Sequence, residues 1–117
     1  MKVVCISLGG RPPTKEGWLT VDSEYLVLAM TIVPADSVEF RVLADDGHTP
    51  ILADSRLFSA VAQPLPVTWQ CSVSPDGTVR IASPEFLEHG YWERFFDGDR
   101  HAVATFRSVF EELARSH

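Results

Sequence analysis

Val38-Glu39-Phe40-Arg41-Val42-Leu43-Ala44, then Asp45-Asp46-Gly47, then His48-Thr49-Pro50-Ile51-Leu52-Ala53 reads as strand, tight turn and returning strand. Val38, Phe40 and Val42 alternate with Glu39 and Arg41, the period of a strand with one face in a core. Asp and Gly supply the turn, because both tolerate the backbone conformations a reversal needs. No catalytic signature lies in this stretch or beside it, so the residues speak to architecture before they speak to function.

Upstream, the Val- and Ile-rich run over 2–8 predicts a first strand, and Gly9 to Gly17 predicts a loop, broken by Pro12 and Pro13. A second strand is expected over 18–33. From Tyr25 to Val33 it is apolar at nearly every position, and the β-branched Thr31, Ile32 and Val33 before Pro34 favour a buried strand over a helix. Strands over 38–44 and 48–53 form the opening hairpin, and 57–61 reads as a short strand or a single helical turn. Val67, Trp69, Cys71 and Val73 alternate with Thr68, Gln70 and Ser72, which predicts a strand over 67–73 with one buried and one wet face. Pro75-Asp76-Gly77 turns it into a return strand over 78–82.

After Ala82 the period changes. Ser83-Pro84 is a helix start, with Ser as N-cap and Pro at the first helical position. A short helix stops at Gly90, a second runs from Tyr91 to Phe96 with Trp92, Phe95 and Phe96 expected on one face, and Asp99 caps an amphipathic helix over about 99–115. The expected fold is α+β: one domain over 1–117, mainly β over 1–82, with a helical cap over 83–117 on a small antiparallel partial barrel.

Composition narrows the function classes. The chain has 117 residues, 45% hydrophobic and 22% charged, enough for one modest core without metal or disulfide staples. Its net charge of -6 argues against binding a nucleic-acid backbone and suits a basic protein partner. Cys5 and Cys71 both lie in apolar, strand-like surroundings and read as free thiols, with a disulfide left open. No secretory signal or membrane-length apolar run is recognised, so a cytoplasmic location is expected.

No catalytic site, cofactor or metal is expected. Gly9-Gly10 follows a strand but lacks the third glycine and the lysine-serine pair of a phosphate loop. Asp45, Asp46 and His48 share one turn, and Glu85 and His89 are four apart, yet neither set has the ligand spacing of a metal motif. Ser7 has no nucleophile-elbow glycines around it. The most unusual composition is Pro84 to Asp99, where aromatics are interleaved with acids. Aromatics beside exposed carboxylates resemble a protein-binding anchor. Candidate partner-binding residues are therefore Glu85, Glu88, Trp92, Glu93, Asp97 and Asp99, with Asp45 and Asp46 on the hairpin turn as weaker members.

Leu19-Thr20-Val21-Asp22-Ser23-Glu24-Tyr25-Leu26-Val27-Leu28, with Phe40 to Gly47 and Leu57-Phe58-Ser59-Ala60-Val61, resembles a recurrent small bacterial SH3-like β-barrel unit over about 17–62. Asp22-Ser23 stands where that pattern usually has Gly-Lys. Pro66-Val67-Thr68-Trp69, Pro75-Asp76-Gly77, Pro84-Glu85-Phe86-Leu87, Gly90-Tyr91-Trp92-Glu93 and Phe96-Asp97-Gly98-Asp99 are similar to a group of small uncharacterised bacterial proteins. Proteins of that type are often immunity proteins to polymorphic toxins. The resemblance implies a non-enzymatic protein that neutralises a cognate toxin domain by stoichiometric binding. The alternatives are an SH3-like binding module for a peptide or nucleic acid, and a homodimer built by pairing an exposed sheet edge.

Overall fold

The computed structural model describes residues 1–9, 18–60 and 63–115. Most of the predicted loop from Gly9 to Gly17, and Val61 at the end of the predicted fifth strand, lie outside the described residues.

The longest strand, β2 (Glu24–Ile32), organises the sheet. Along one edge it pairs antiparallel with β3 (Val38–Leu43), from Val27↔Val42 to Ile32↔Val38. Its other edge is divided. β1 (Lys2–Cys5) takes the first half, at Lys2↔Leu26 and Val4↔Glu24, and β7 (Val79–Ala82) takes the second, at Ala29↔Ala82 and Ile32↔Val79. At the junction the Val27 N–H donates to the Met1 carbonyl at 2.8 Å. β4 (Pro50–Asp54) adds to β3, β5 (Phe58–Ala60) to β1, and β6 (Gln70–Val73) to β7.

The unbroken apolar run in β2 has a physical cause: both its faces are covered. Tyr25 and Val27 point into the barrel with Val3, Cys5, Phe40, Val42, Ala53 and Phe58. Leu26 and Leu28 point the other way, into a second core under the helices. The pairing with β3 shifts between Val27 and Ala29, a bulge that puts both Leu28 and Ala29 on the helix side and returns Met30 to the barrel side.

From β4 the chain crosses through one 3-10 turn, Ser55–Leu57, capped by the Asp54 carboxylate, which accepts the Arg56 N–H at 2.8 Å. It then reaches β5 beside β1. β4 and β5 stand at opposite ends of this path and do not pair, so the SH3-like barrel is partial.

The helices follow from their caps. α1 (Pro84–Leu87) begins behind Ser83 with Pro at its start. α2 (Tyr91–Phe96) ends at Gly98, whose φ of 81° lets its N–H reach the Phe95 carbonyl and the Asp99 N–H reach the Arg94 carbonyl, both at 3.0 Å. Asp99 then caps α3 (Arg100–Arg115), accepting the Ala102 N–H at 2.9 Å. α3 lays Ala102, Phe106, Val109 and Leu113 on the outer face of the sheet, with Leu28, Ala82, Phe86 and Tyr91. Trp69 touches both cores and joins them; its indole N–H is buried without an acceptor among the described residues.

Several sequence boundaries move. The first strand stops at Cys5 rather than Leu8, the second begins at Glu24 rather than Trp18, and β4 begins at Pro50. Trp18–Ser23 forms a bend and a turn in which Asp22 has a φ of 73°, so the Asp-Ser pair ends any strand there. Residues 57–61 divide into the end of the 3-10 turn and a short strand. The predicted buried face of 67–73 is mostly in solvent. The strand covers only Gln70–Val73, Val67 and Cys71 are exposed, and Trp69 alone reaches the cores, because β6 is an edge strand beyond the barrel. Cys5 is the buried thiol, and both cysteines are free.

Leu28 is fully buried at the bulge. Leu28→Ala is expected to destabilise the fold by about 2–5 kcal/mol, read as a lower midpoint in urea unfolding with an unchanged slope.

Candidate protein-binding surface

The acidic, aromatic stretch over 84–99 separates by helix pitch into an inner and an outer face. Tyr91, Trp92 and Phe95 turn inward. Trp92 and Phe86 have ring centroids 4.9 Å apart, as have Phe95 and Phe106. The Tyr91 hydroxyl donates to the Ala102 carbonyl at 2.7 Å, and burial pushes its pKa up to about 12.

Arg41 ties this cap to the barrel. Its guanidinium lies 4.2 Å from the centre of the Trp92 ring and donates to the Pro50 carbonyl at 3.0 Å. Burial pulls its pKa down to about 10, and the charges of Glu39 and Glu93 oppose that shift. A guanidinium on an indole face gains electrostatically from the ring's negative surface.

Trp92, a sequence candidate for the interface, is therefore half-buried in the aromatic cluster. Glu93, Phe96 and Asp97, at i, i+3 and i+4, share the outward face of α2, and Phe96 keeps 54% of its surface exposed. As the sequence predicts, Phe96 adjoins Trp92 and Phe95, with ring centroids 6.4 and 5.3 Å away, but it is the outermost of the three; Tyr91, Trp92 and Phe95 make the inward i, i+1, i+4 stripe.

The remaining acids are placed as follows. Glu88 is exposed and pairs with Arg94 at 3.3 Å, and Arg94 also donates to the His89 carbonyl at 3.0 Å. Glu85 is exposed in α1, and the Asp99 carboxylate is engaged in capping α3. Asp45 and Asp46 lie on the turn between β3 and β4, and their oxygens are occupied. Asp45 accepts from the Thr20 hydroxyl at 2.6 Å and the Tyr25 hydroxyl at 2.7 Å, pinning the Trp18–Ser23 turn to the hairpin. Asp46 accepts from the His48 N–H, the Thr49 N–H and the Thr49 hydroxyl, which hold its pKa below the usual carboxylate value.

A second concave surface lies on the barrel. An open groove of about 680 Å³ runs between Ser7–Gly9, Trp18, Leu19, β4 and the 3-10 turn. Leu8, Leu19, Ile51 and Leu57 form its half-buried floor, and Trp18 and Leu52 stand 42% and 45% exposed on its wall. Arg56 on its rim is held by Asp54 at 2.8 Å. Of Arg41, Arg56 and Arg80, Arg41 lies on Trp92 and Arg56 pairs with Asp54.

Comparison with protein-family models, with curated proteins and with solved structures gave no match. The functional reading therefore rests on these surfaces. Among the described residues no three His, Cys, Asp or Glu side chains gather as a metal site, and no helix is long and apolar enough to cross a membrane.

The Asp54–Arg56 pair generates a pH test. Hydrogen bonds from Arg56 hold the Asp54 pKa down to about 2. A carboxyl depressed in the folded state stabilises it above its unfolded value and loses that contribution as pH falls toward the folded one. The stability gap between wild type and Asp54→Asn is expected to be constant near neutrality and to close as pH falls from about 4 to about 2. Urea unfolding across that window checks it, and a gap that stays constant would show the pair to be without effect.

Proposed function

We propose that the protein is a non-enzymatic binding protein that docks the outer face of α2 onto a basic protein partner. The observation that carries this reading is Phe96: a large aromatic side chain left 54% exposed, with Glu93 and Asp97 on the same face. Burying the exposed part of a phenyl ring drives association, and carboxylates around it steer a positively charged partner and fix its orientation. Glu88 and Glu85 extend the acidic surface toward α1, and Asp99 extends it toward α3. Trp92 acts from behind, holding α2 rigid through Phe86, Phe106 and Arg41.

The immunity reading is a specific form of this proposal. A toxin that acts on a nucleic acid presents a basic active site, and an acidic surface with a central aromatic would cover it stoichiometrically. The net charge of -6 supports this form.

The groove on the barrel favours a second reading, in which an extended apolar peptide lies between Trp18 and Leu52.

A partner captured from the native host on the wild-type protein allows a quantitative comparison. Phe96→Ala is expected to weaken its binding about tenfold or more, as for a central anchor. Glu93→Lys with Asp97→Lys is expected to weaken it further and to flatten its dependence on salt. Affinity that survives these changes but is lost in Trp18→Ala with Leu52→Lys would move the site to the groove.

A further inference from the structure

The sheet ends on β6, and among the described residues nothing pairs with its outer edge. All four of its residues are exposed, Val73 at 65%, and the nearby Val67 is bare. Natural sheets block a free edge with a charge, a proline, a bulge or a very short strand. The other two ends of this sheet have such devices: β4 begins at Pro50 and ends at the charged Asp54, and β5 has three residues. From Val67 to Ser74 there is neither charge nor proline, and the pairing of β6 with β7 runs without a bulge from Gln70↔Ala82 to Val73↔Val79.

The hydrogen-bond phase of the hairpin determines which backbone groups are free. The Ser74 N–H donates to the Thr78 carbonyl at 2.9 Å, so Ser74 and Thr78 are a hydrogen-bonded pair. Antiparallel pairs alternate, so Ser72 and Gln70 turn their backbone groups to β7, and Cys71 and Val73 turn theirs outward. Two outward-facing residues separated by one are complementary to themselves. In an antiparallel copy related by a two-fold axis at Ser72, Cys71 meets Val73 of the second copy and Val73 meets its Cys71, and every outward N–H and C=O of the two residues is satisfied.

We propose that the chain forms a two-fold dimer by antiparallel pairing of β6 with β6 of a second copy, centred on Ser72, which joins the two hairpins into one continuous sheet.

The side chains favour a second copy over an unrelated strand. Across the joined sheet, Val79, Val73, and the second copy's Cys71 and Ile81 fall in one apolar row, and symmetry repeats that row. Arg80 and Ser72 make the polar row between them on the other face. No charged side chain lies among the paired residues Gln70–Ser74, although each copy carries -6. The two Arg80 residues are three strand spacings apart, about 14 Å, beyond the screening length at physiological salt. The α2 face is no part of this seam, so the dimer stands or falls separately from the partner-binding proposal.

Sedimentation equilibrium on the reduced protein tests the dimer. The wild type is expected at twice the chain mass at micromolar concentration. Val73→Lys, at an exposed position that leaves both cores untouched, is expected to halve that mass while circular dichroism stays unchanged. A cross-link tests the register. In an antiparallel sheet, residues facing each other at a non-hydrogen-bonded position have Cα atoms about 4.5 Å apart, within disulfide reach. Cys71→Ser with Ser72→Cys should therefore give a covalent dimer on mild oxidation. A monomeric wild type, a Val73→Lys protein that still dimerises, or failure of Cys at position 72 to cross-link would each overturn the proposal.

Discussion

The structure depends on β2 being buried on both faces. A strand in a small antiparallel sheet commonly has one wet face, but here Val27 and Leu28, adjacent in sequence, are each wholly excluded from solvent in different cores. The bulge at Leu28 makes this workable, because it lets two successive residues serve the helix side and then restores the barrel-side phase at Met30. The divided edge of β2 follows from the same strand: its first half completes the barrel with β1, and its second half carries the β6–β7 hairpin out beyond it. Trp69 covers the junction of the two cores, and the burial of its large ring outweighs an indole N–H that has no partner among the described residues.

The helical cap is held to this sheet by rings and one cation. Phe86, Tyr91, Trp92, Phe95 and Phe106 contact one another, and Arg41 reaches from β3 to close over Trp92. With that many aromatics turned inward on short helices, the pitch of α2 leaves Phe96 facing out. The exposed aromatic is thus a consequence of how the cap is built as well as the feature that distinguishes its surface.

Much of the architecture was legible because it is local. The alternation around Phe40 and Val42, the Asp-Gly and Pro-Asp-Gly turns, Pro84 behind Ser83, and the capping by Asp99 each operate within a few residues, and each occurs where it was expected. The double burial of β2 was visible as an apolar run without alternation. The acidic, aromatic stretch was legible as a region; how far each ring is covered was not, since Trp92 lies against Phe86, Phe106 and Arg41 while Phe96 keeps 54% of its surface. Asp45 and Asp46 read first as turn residues, and their oxygens are used by Thr20, Tyr25, His48 and Thr49.

β6 shows most clearly what lay outside the sequence pattern. Val67, Trp69, Cys71 and Val73 alternate like a buried face, yet the strand sits at the edge of a hairpin that overhangs the barrel. Periodicity reports which side chains could share a face; it carries no information on whether anything lies against that face. By itself the sequence determined an acidic α+β chain with its turns, caps and strand phases, because short-range sterics and hydrogen bonding suffice for those. Only the tertiary structure decided which apolar faces are covered, which aromatic stays in water, and which backbone edge is left unpaired among the described residues, because each depends on contacts between segments far apart in the chain.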